Sequence, residues 1–319
     1  MIVTNKLTKV YGGFFGSSVL AVDNIDLEVD RKDIFGFLGP NGAGKTTTIH
    51  MFTTVLEPTS GTAEICGYDI TKSPLIAKRK IGFMPEMPGF YDWLKAEDQL
   101  KFYCDFYGYS RQESKTRAKE LMELVGMGEF RNRKIKTFSH GMRKRLALAS
   151  AMVNDPEILI LDEPMGGLDP MGVHSFREMI KELNRNDITI FLSSHLLPEV
   201  QQLCNKVGII NRGKILAVDT IDNLSRKVGL ESFTRLTIDG KGLSEKVLDF
   251  IKTIPGVAEI RVNSQRERGY TIIVNEGIDI QDLAGVLNEK LVKRDVYLSR
   301  LEQAKPNLEE LFMKITRGS

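Results

Sequence analysis

Gly39-Pro40-Asn41-Gly42-Ala43-Gly44-Lys45-Thr46-Thr47 is the stretch from which the rest of the chain is read. The apolar run Ile34 to Leu38 before it predicts a buried strand, and Thr46 to Leu56 after it predicts a helix. Strand, glycine-rich turn, Gly-Lys-Thr and helix form the context of a phosphate-binding P-loop. Glycines let the backbone bend until successive N–H groups point at one anion. The helix start adds its partial positive charge to the same spot. Lys45 is expected to reach the β- and γ-phosphates of a nucleotide, and Thr46 to place its hydroxyl on Mg²⁺.

Three further segments follow from this one. Ile158-Leu159-Ile160-Leu161-Asp162-Glu163 is an apolar run ending in two acids, as a strand buried on both faces of a parallel sheet reads. Its C-terminal end is where α/β folds bind ligands. Downstream of a P-loop, Asp162 is expected to hold Mg²⁺ and Glu163 to polarise the attacking water. Ile188 to Leu192 predicts another buried strand, ending in Ser193-Ser194-His195, and a histidine there can donate to a terminal phosphate. Ser139-His140-Gly141-Met142-Arg143 leads into a periodic helix, Lys144 to Val153, with Ser139 as a simple N-cap or as part of an anion-binding helix start.

The remainder supplies organisation. Ile2–Val10 and Val19–Val29 read as strands around a partly aromatic loop, Tyr11 to Ser18, in which Tyr11 either stacks on a base or packs locally. Ile81 to Pro85 is a short apolar strand ending at Glu86. Residues 92–130 read as helical, and the stripe Leu100, Phe102, Tyr103, Phe106, Tyr107 is expected to be mostly helix core. Arg131, Arg133, Lys134 and Lys136 read as a solvated basic face, with phosphates or lipid headgroups as the alternative. Asn211-Arg212-Gly213 predicts a hairpin turn. The pattern changes near Leu224–Gly229. Beyond it, strands near 232–239, 257–263, 269–275 and 296–300 and helices near 243–253 and 280–292 give a β-α-β-β-α-β order. That order suggests a ferredoxin-like domain, closed by an amphipathic helix Leu308 to Ile315 after Pro306.

At 319 residues the chain suits one large domain and one small one. A net charge of +2 sets up no strong field toward nucleic acid. The three cysteines, Cys66, Cys104 and Cys204, lack zinc spacing and are expected as free thiols in a reducing compartment. No secretory signal is read at the start, and no apolar run approaches the ~18 residues of a membrane span. Another subunit would have to cross any membrane the protein serves.

Taken in order, Tyr11, the P-loop, Glu86, Ser139-His140-Gly141, Asp162-Glu163, Asp169 and His195 resemble the ATP-binding subunit of an ABC transporter over roughly residues 1–220. Phe138 to Leu146 is similar to the signature segment of that family, and the tail Pro306 to Phe312 is similar to tails of ABC-2 type exporters of drugs, antibiotics, polysaccharides or sodium. The resemblance implies an α/β fold. Its core is a P-loop NTPase of the ABC ATPase kind over 1–224, with an antiparallel β subdomain and a helical subdomain at about 87–150. An accessory α+β, ferredoxin-like domain over 225–319 follows.

It also implies the roles. Tyr11 stacks on adenine, and Gly39 with Asn41, Gly42, Ala43, Gly44, Lys45, Thr46 and Thr47 wraps the ATP phosphates. Asp162 holds Mg²⁺ through water beside Thr46 and Glu86, Glu163 is the general base, and His195 contacts the γ-phosphate. Ser139 and Gly141 reach the ATP of a partner subunit across a homodimer, or a pair of such subunits, with Asp169 at the seam. Integral membrane permease subunits are the other partners, and the location is the cytoplasmic face of the cell membrane. The chain departs from the family in having Glu86 for the usual glutamine, His140 for glycine and Met142 for glutamine. The rival readings are a soluble ABC-type ATPase, or a regulatory ATP-binding module uncoupled from transport.

Overall fold

The computed structural model describes residues 1–13, 16–227, 235–262, 269–275, 277–304 and 308–317. The centre of the loop expected between the first two strands, the stretch beyond Lys227 where the pattern changes, and Pro306 lie outside them. Two compact units result, Met1–Ile221 and Asp222–Gly318.

The larger unit is built on a mixed sheet with the order Lys214–Asp219, Lys206–Asn211, Ile34–Leu38, Thr189–Ser194, Ile158–Asp162, Ile81–Met84 among the described residues. All neighbours are parallel except the edge hairpin Lys206–Asn211/Lys214–Asp219. That hairpin turns at Arg212 and Gly213, both at positive φ (47° and 80°), as a tight turn between right-twisted strands requires. The central strands are buried from end to end, which their unbroken apolar sequences dictate. Because they run parallel, Leu38, Met84, Asp162 and Ser194 all end at one edge of the sheet. Four chemistry-bearing loops therefore converge there.

Beneath that edge Phe191 packs against Phe35, Phe37 and Phe52, with ring centroids 5.4–5.6 Å apart. The helix after the P-loop spans only Lys45–Phe52, too short to be stable alone. It is held by burying Ile49, Met51 and Phe52 in this core. It ends earlier than the expected Leu56 because Thr54 takes a positive φ of 56°.

An antiparallel sheet, in which Ile2–Gly13 pairs with Gly16–Ile25, Glu28–Val29 and Ser60–Ile65, forms a second layer. A helical region carries Ala96–Phe106, Arg111–Leu124 and His140–Ala151. Ser110 starts the second of these with a full capping box to Glu113. The aromatic stripe on the first departs from expectation. Leu100 is buried and Tyr103 is partly buried, but Phe102, Phe106 and Tyr107 are exposed. Ala96, Gln99, Leu100 and Cys104 fill the buried face, so 102 and 106 fall on the other side of the helix.

The smaller unit is ferredoxin-like. Arg235–Lys241, Glu245–Lys252, Val257–Val262, Gly269–Val274, Ile280–Val292 and Tyr297–Ala304 follow the β-α-β-β-α-β order. Their strands form an antiparallel sheet in the spatial order second, third, first, fourth. Its core includes Leu236, Ile238, Ile272, Leu287 and Leu291. The helix Leu308–Arg317 closes the chain.

Candidate nucleotide site

The P-loop closes over its own lysine. Gly44 sits at φ 107° at the helix start, and a side chain there would meet Ala21 O at 2.5 Å. At Gly39 a side chain would collide with the Ile210 carbonyl. Both positions demand glycine for that reason. Lys45 is buried, and its Nζ donates to the Gly39 carbonyl at 2.8 Å and the Pro40 carbonyl at 3.2 Å. It lies 3.8 Å from Glu163 Oε1. The ammonium is thus parked on the loop it would leave to meet a phosphate.

The acids at the end of Ile158–Asp162 are fixed by a neighbouring strand. Ser193, opposite Asp162 in register, donates from Oγ to Asp162 Oδ1 at 2.5 Å. The same Oγ accepts from the Glu163 N–H at 3.0 Å. One fully buried hydroxyl therefore holds the Asp162 carboxylate and the Glu163 backbone. Glu163 turns the chain with φ 45°, a left-handed conformation that costs a β-carbon residue of order 1–3 kcal/mol. Its Oε2 lies 2.9 Å from His195 Nδ1, so strand ends 162 and 194 present a carboxylate–imidazole pair.

A cleft of about 270 Å³ opens over this group. It is lined by Ala21, the P-loop residues Asn41, Gly42, Gly44, Lys45, Thr46 and Thr47, and by Glu86, Glu163 and His195. Gly39 and Ala43 are buried beneath the loop and Asp162 beneath the two acids' strand end. Backbone N–H, ammonium and hydroxyl groups in the cleft are donors that suit a phosphate chain, and the Glu86 and Glu163 carboxylates are acceptors that suit a cation or a water.

Tyr11, Ser139, Gly141 and Asp169 are not among the lining residues. Tyr11 is exposed on the first strand, with Lys9 Nζ 5.6 Å from its ring centre. Ser139 caps the helix His140–Ala151 by accepting from Met142 N–H at 3.3 Å. His140 Nε2 lies 3.1 Å from the Gly166 carbonyl, and Asp169 caps Pro170–Arg185 through Gly172 N–H at 2.8 Å.

Two positioning residues escape a reading of the sequence. Ser193 is one. Lys144 is the other: it is buried, and its Nζ donates to the Glu163 carbonyl at 2.9 Å and the Glu86 carbonyl at 3.0 Å. Burial pushes its ammonium below the usual lysine pKa, while Glu86, Glu163 and Asp162 pull it back up. Lys144 ties the helix behind Ser139 to both acidic loops. A lysine inside a basic run gives no sign of this in sequence.

The profile of the family described as "ABC transporter" matches residues 22–166. The linearmycin resistance ATP-binding protein LnrL of Bacillus subtilis (strain 168) is 34% identical, over 99% of this chain and 98% of its own length. The bacitracin transport ATP-binding protein BcrA of Bacillus licheniformis is 34% identical, over 100% of this chain and 98% of its own. Among solved structures, an ATP-binding subunit of an ABC transporter superposes with TM-score 0.63 at 29% identity, covering 72% of this chain and 93% of that one. An ATP-binding cassette solved as a dimer in a post-hydrolysis state with ADP and Pi shares the fold, with TM-score 0.64 at 23% identity over 69% of this chain and 99% of that one. With a P-loop, Glu86, Glu163 and His195 on one cleft, and full-length relatives of this kind, the chain belongs to the ABC transporter family as an ATP-binding subunit, an ATPase by class.

Proposed function

We propose that this subunit hydrolyses ATP in the cleft over Lys45 and that two copies share each site, driving export through separate membrane subunits. The observation that carries the reading is the placement of Lys45, Glu163 and His195 around one opening, with Glu163 held by Ser193, Lys144 and His195.

Gly39 to Thr47 cradles the triphosphate with its N–H groups. Lys45 exchanges its two carbonyls for phosphate oxygens. Glu163 takes the proton of the attacking water, so that the water oxygen bonds to the γ-phosphorus as the bond to the ADP oxygen breaks. His195 orients the Glu163 carboxylate and lies within reach of the leaving γ-phosphate. Tyr11, exposed on its strand, is free to stack on adenine outside the phosphate cleft. The hydroxyl of Thr46 and the carboxylates of Asp162 and Glu86 are hard oxygen donors, the set that suits Mg²⁺. When bound, that ion neutralises charge on the β- and γ-phosphates.

Ser139 and Gly141 lie outside the cleft of their own chain, which supports their serving a partner's nucleotide. Asp169 is then at the seam. Domains 1–224 and 225–319 divide the work, with the ATPase in the first. Membrane subunits supply the crossing, since among the described residues no helix is long and apolar enough to span a bilayer. A largely apolar cleft of about 300 Å³, lined by Gly82, Pro85, Phe90, Tyr103, Tyr107 and Ala151 among others, borders the Glu86 loop and offers such a subunit a seat. The working location is then the cytoplasmic face of the membrane. Antibiotic export is the substrate class that the linearmycin and bacitracin relatives suggest.

Isothermal calorimetry on Lys45→Ala tests the reading. Loss of ATP affinity by at least tenfold is expected, whereas unchanged binding would place the nucleotide elsewhere.

A further inference from the structure

Beside the helical region lies a surface that the ATPase reading leaves unused. Tyr91 stands between Trp93 and Phe102, at centroid distances of 5.2 and 5.5 Å, and Phe102 meets Phe106 at 5.0 Å. All four are exposed, Trp93 by 68% and Phe106 by 73%. None lines either cleft described above. This is a ladder of four rings facing solvent, with an indole and a phenol among them.

A basic ribbon runs along its edge. Residues 92–97 pair with 131–136: Lys136 N–H donates to Asp92 O, Ile135 N–H to Leu94 O, and Ala96 N–H to Arg133 O, at 3.0–3.1 Å. The pairing puts Lys95 directly opposite Lys134. Like charges facing each other across an antiparallel pair are destabilising. Lys95, Lys134 and Lys136 are exposed, and among the described residues none forms an ion pair. The carboxylates on these two segments are already engaged. Asp92 pairs with Arg143 at 2.7 Å, and Glu97 with Lys101 at 2.7 Å and Arg131 at 3.6 Å. The surface thus combines unneutralised ammonium groups with amphipathic rings. The rings suit the boundary of a bilayer, and the lysines suit phosphate headgroups, which would relieve their repulsion.

We propose that this aromatic ladder and lysine ribbon form a docking surface for anionic membrane lipid, in which Trp93 enters the headgroup layer and Lys95, Lys134 and Lys136 neutralise lipid phosphates. The inference goes beyond the ATPase reading and requires neither nucleotide nor permease.

Trp93 is the single tryptophan of the chain, so its emission reports on the surface itself. The full chain is mixed with vesicles of phosphatidylcholine alone, or of phosphatidylcholine with one quarter phosphatidylglycerol, and followed by flotation and fluorescence. Partition onto the anionic vesicles only, with blue-shifted Trp93 emission and quenching by brominated acyl chains, is expected. The change Lys95→Gln/Lys134→Gln/Lys136→Gln should lower the partition coefficient about fivefold per lysine, about a hundredfold in all. Unchanged emission and ATPase rate of that variant without vesicles would show that it is folded. No partition, equal partition on neutral vesicles, or partition without a change in Trp93 emission would overturn the proposal. So would a Trp93 shift seen only with native membrane vesicles and abolished by trypsin treatment of those vesicles, which would make the surface a seat for protein.

Discussion

At the scale of single residues the proposed general base is held in place by its neighbours. Ser193 and Lys144 fix the Glu163 backbone from two sides, and His195 fixes its carboxylate. Replacing Lys144 by methionine leaves the buried Glu163 carbonyl unpaired, a loss of about 1–3 kcal/mol of stability at neutral pH. ATP affinity should be nearly retained while turnover falls. The pH dependence has a definite sign. Burial lowers the Lys144 pKa in the folded chain, so the unfolded chain holds that proton more firmly. The Lys144 contribution to native stability then rises with pH in the alkaline range, up to the ordinary lysine value of about 10.4, against the opposite contribution of thiols and phenols whose pKa burial raises. Denaturant titrations at several pH values should show the native protein gaining stability relative to Lys144→Met as pH rises. Identical pH profiles would remove the buried ammonium from the account.

At the scale of elements, the parallel sheet does the aligning. Its buried strands at 34–38, 158–162 and 189–194 were legible because an apolar run between turn signals has few other readings. The P-loop was legible because its glycine spacing and Gly44-Lys45-Thr46 fall where a buried strand gives way to a helix. What sequence could not show was set by tertiary neighbours. The aromatic stripe at 100–107 looks apolar along its length, but smaller residues on the other face make the core contact, and Phe102 and Phe106 are left outside. The lysine at 144 was hidden in a basic run, and Ser193 in a strand end. The P-loop helix, only eight residues long, depends on Phe52 wedged against Phe191 at 5.4 Å. Phe52→Ala should cost about 3–5 kcal/mol in chemical denaturation and weaken nucleotide binding along with it. A variant that loses neither would mean that the helix is anchored by other contacts.

At the scale of the whole molecule, the proposed sharing of each site by two copies rests on Ser139 and Gly141 lying outside the cleft of their own chain. Ser139 caps its own helix, so Ser139→Ala costs about 1 kcal/mol of local stability in any case. Loss of hydrolysis beyond that reflects the partner's nucleotide. Mixing Ser139→Ala with Lys45→Ala chains should restore partial activity, because one of the two shared sites then has an intact P-loop and an intact signature segment. No recovery at any mixing ratio would mean that each chain works alone.

The most direct test joins these scales in Glu163→Gln. With ATP and Mg²⁺, its phosphate release should fall by about 10²–10⁴-fold, the range of a lost general base. Its mass by light scattering should double as unhydrolysed ATP locks two copies together. Hydrolysis at the native rate, or a monomer at saturating ATP, would contradict the account.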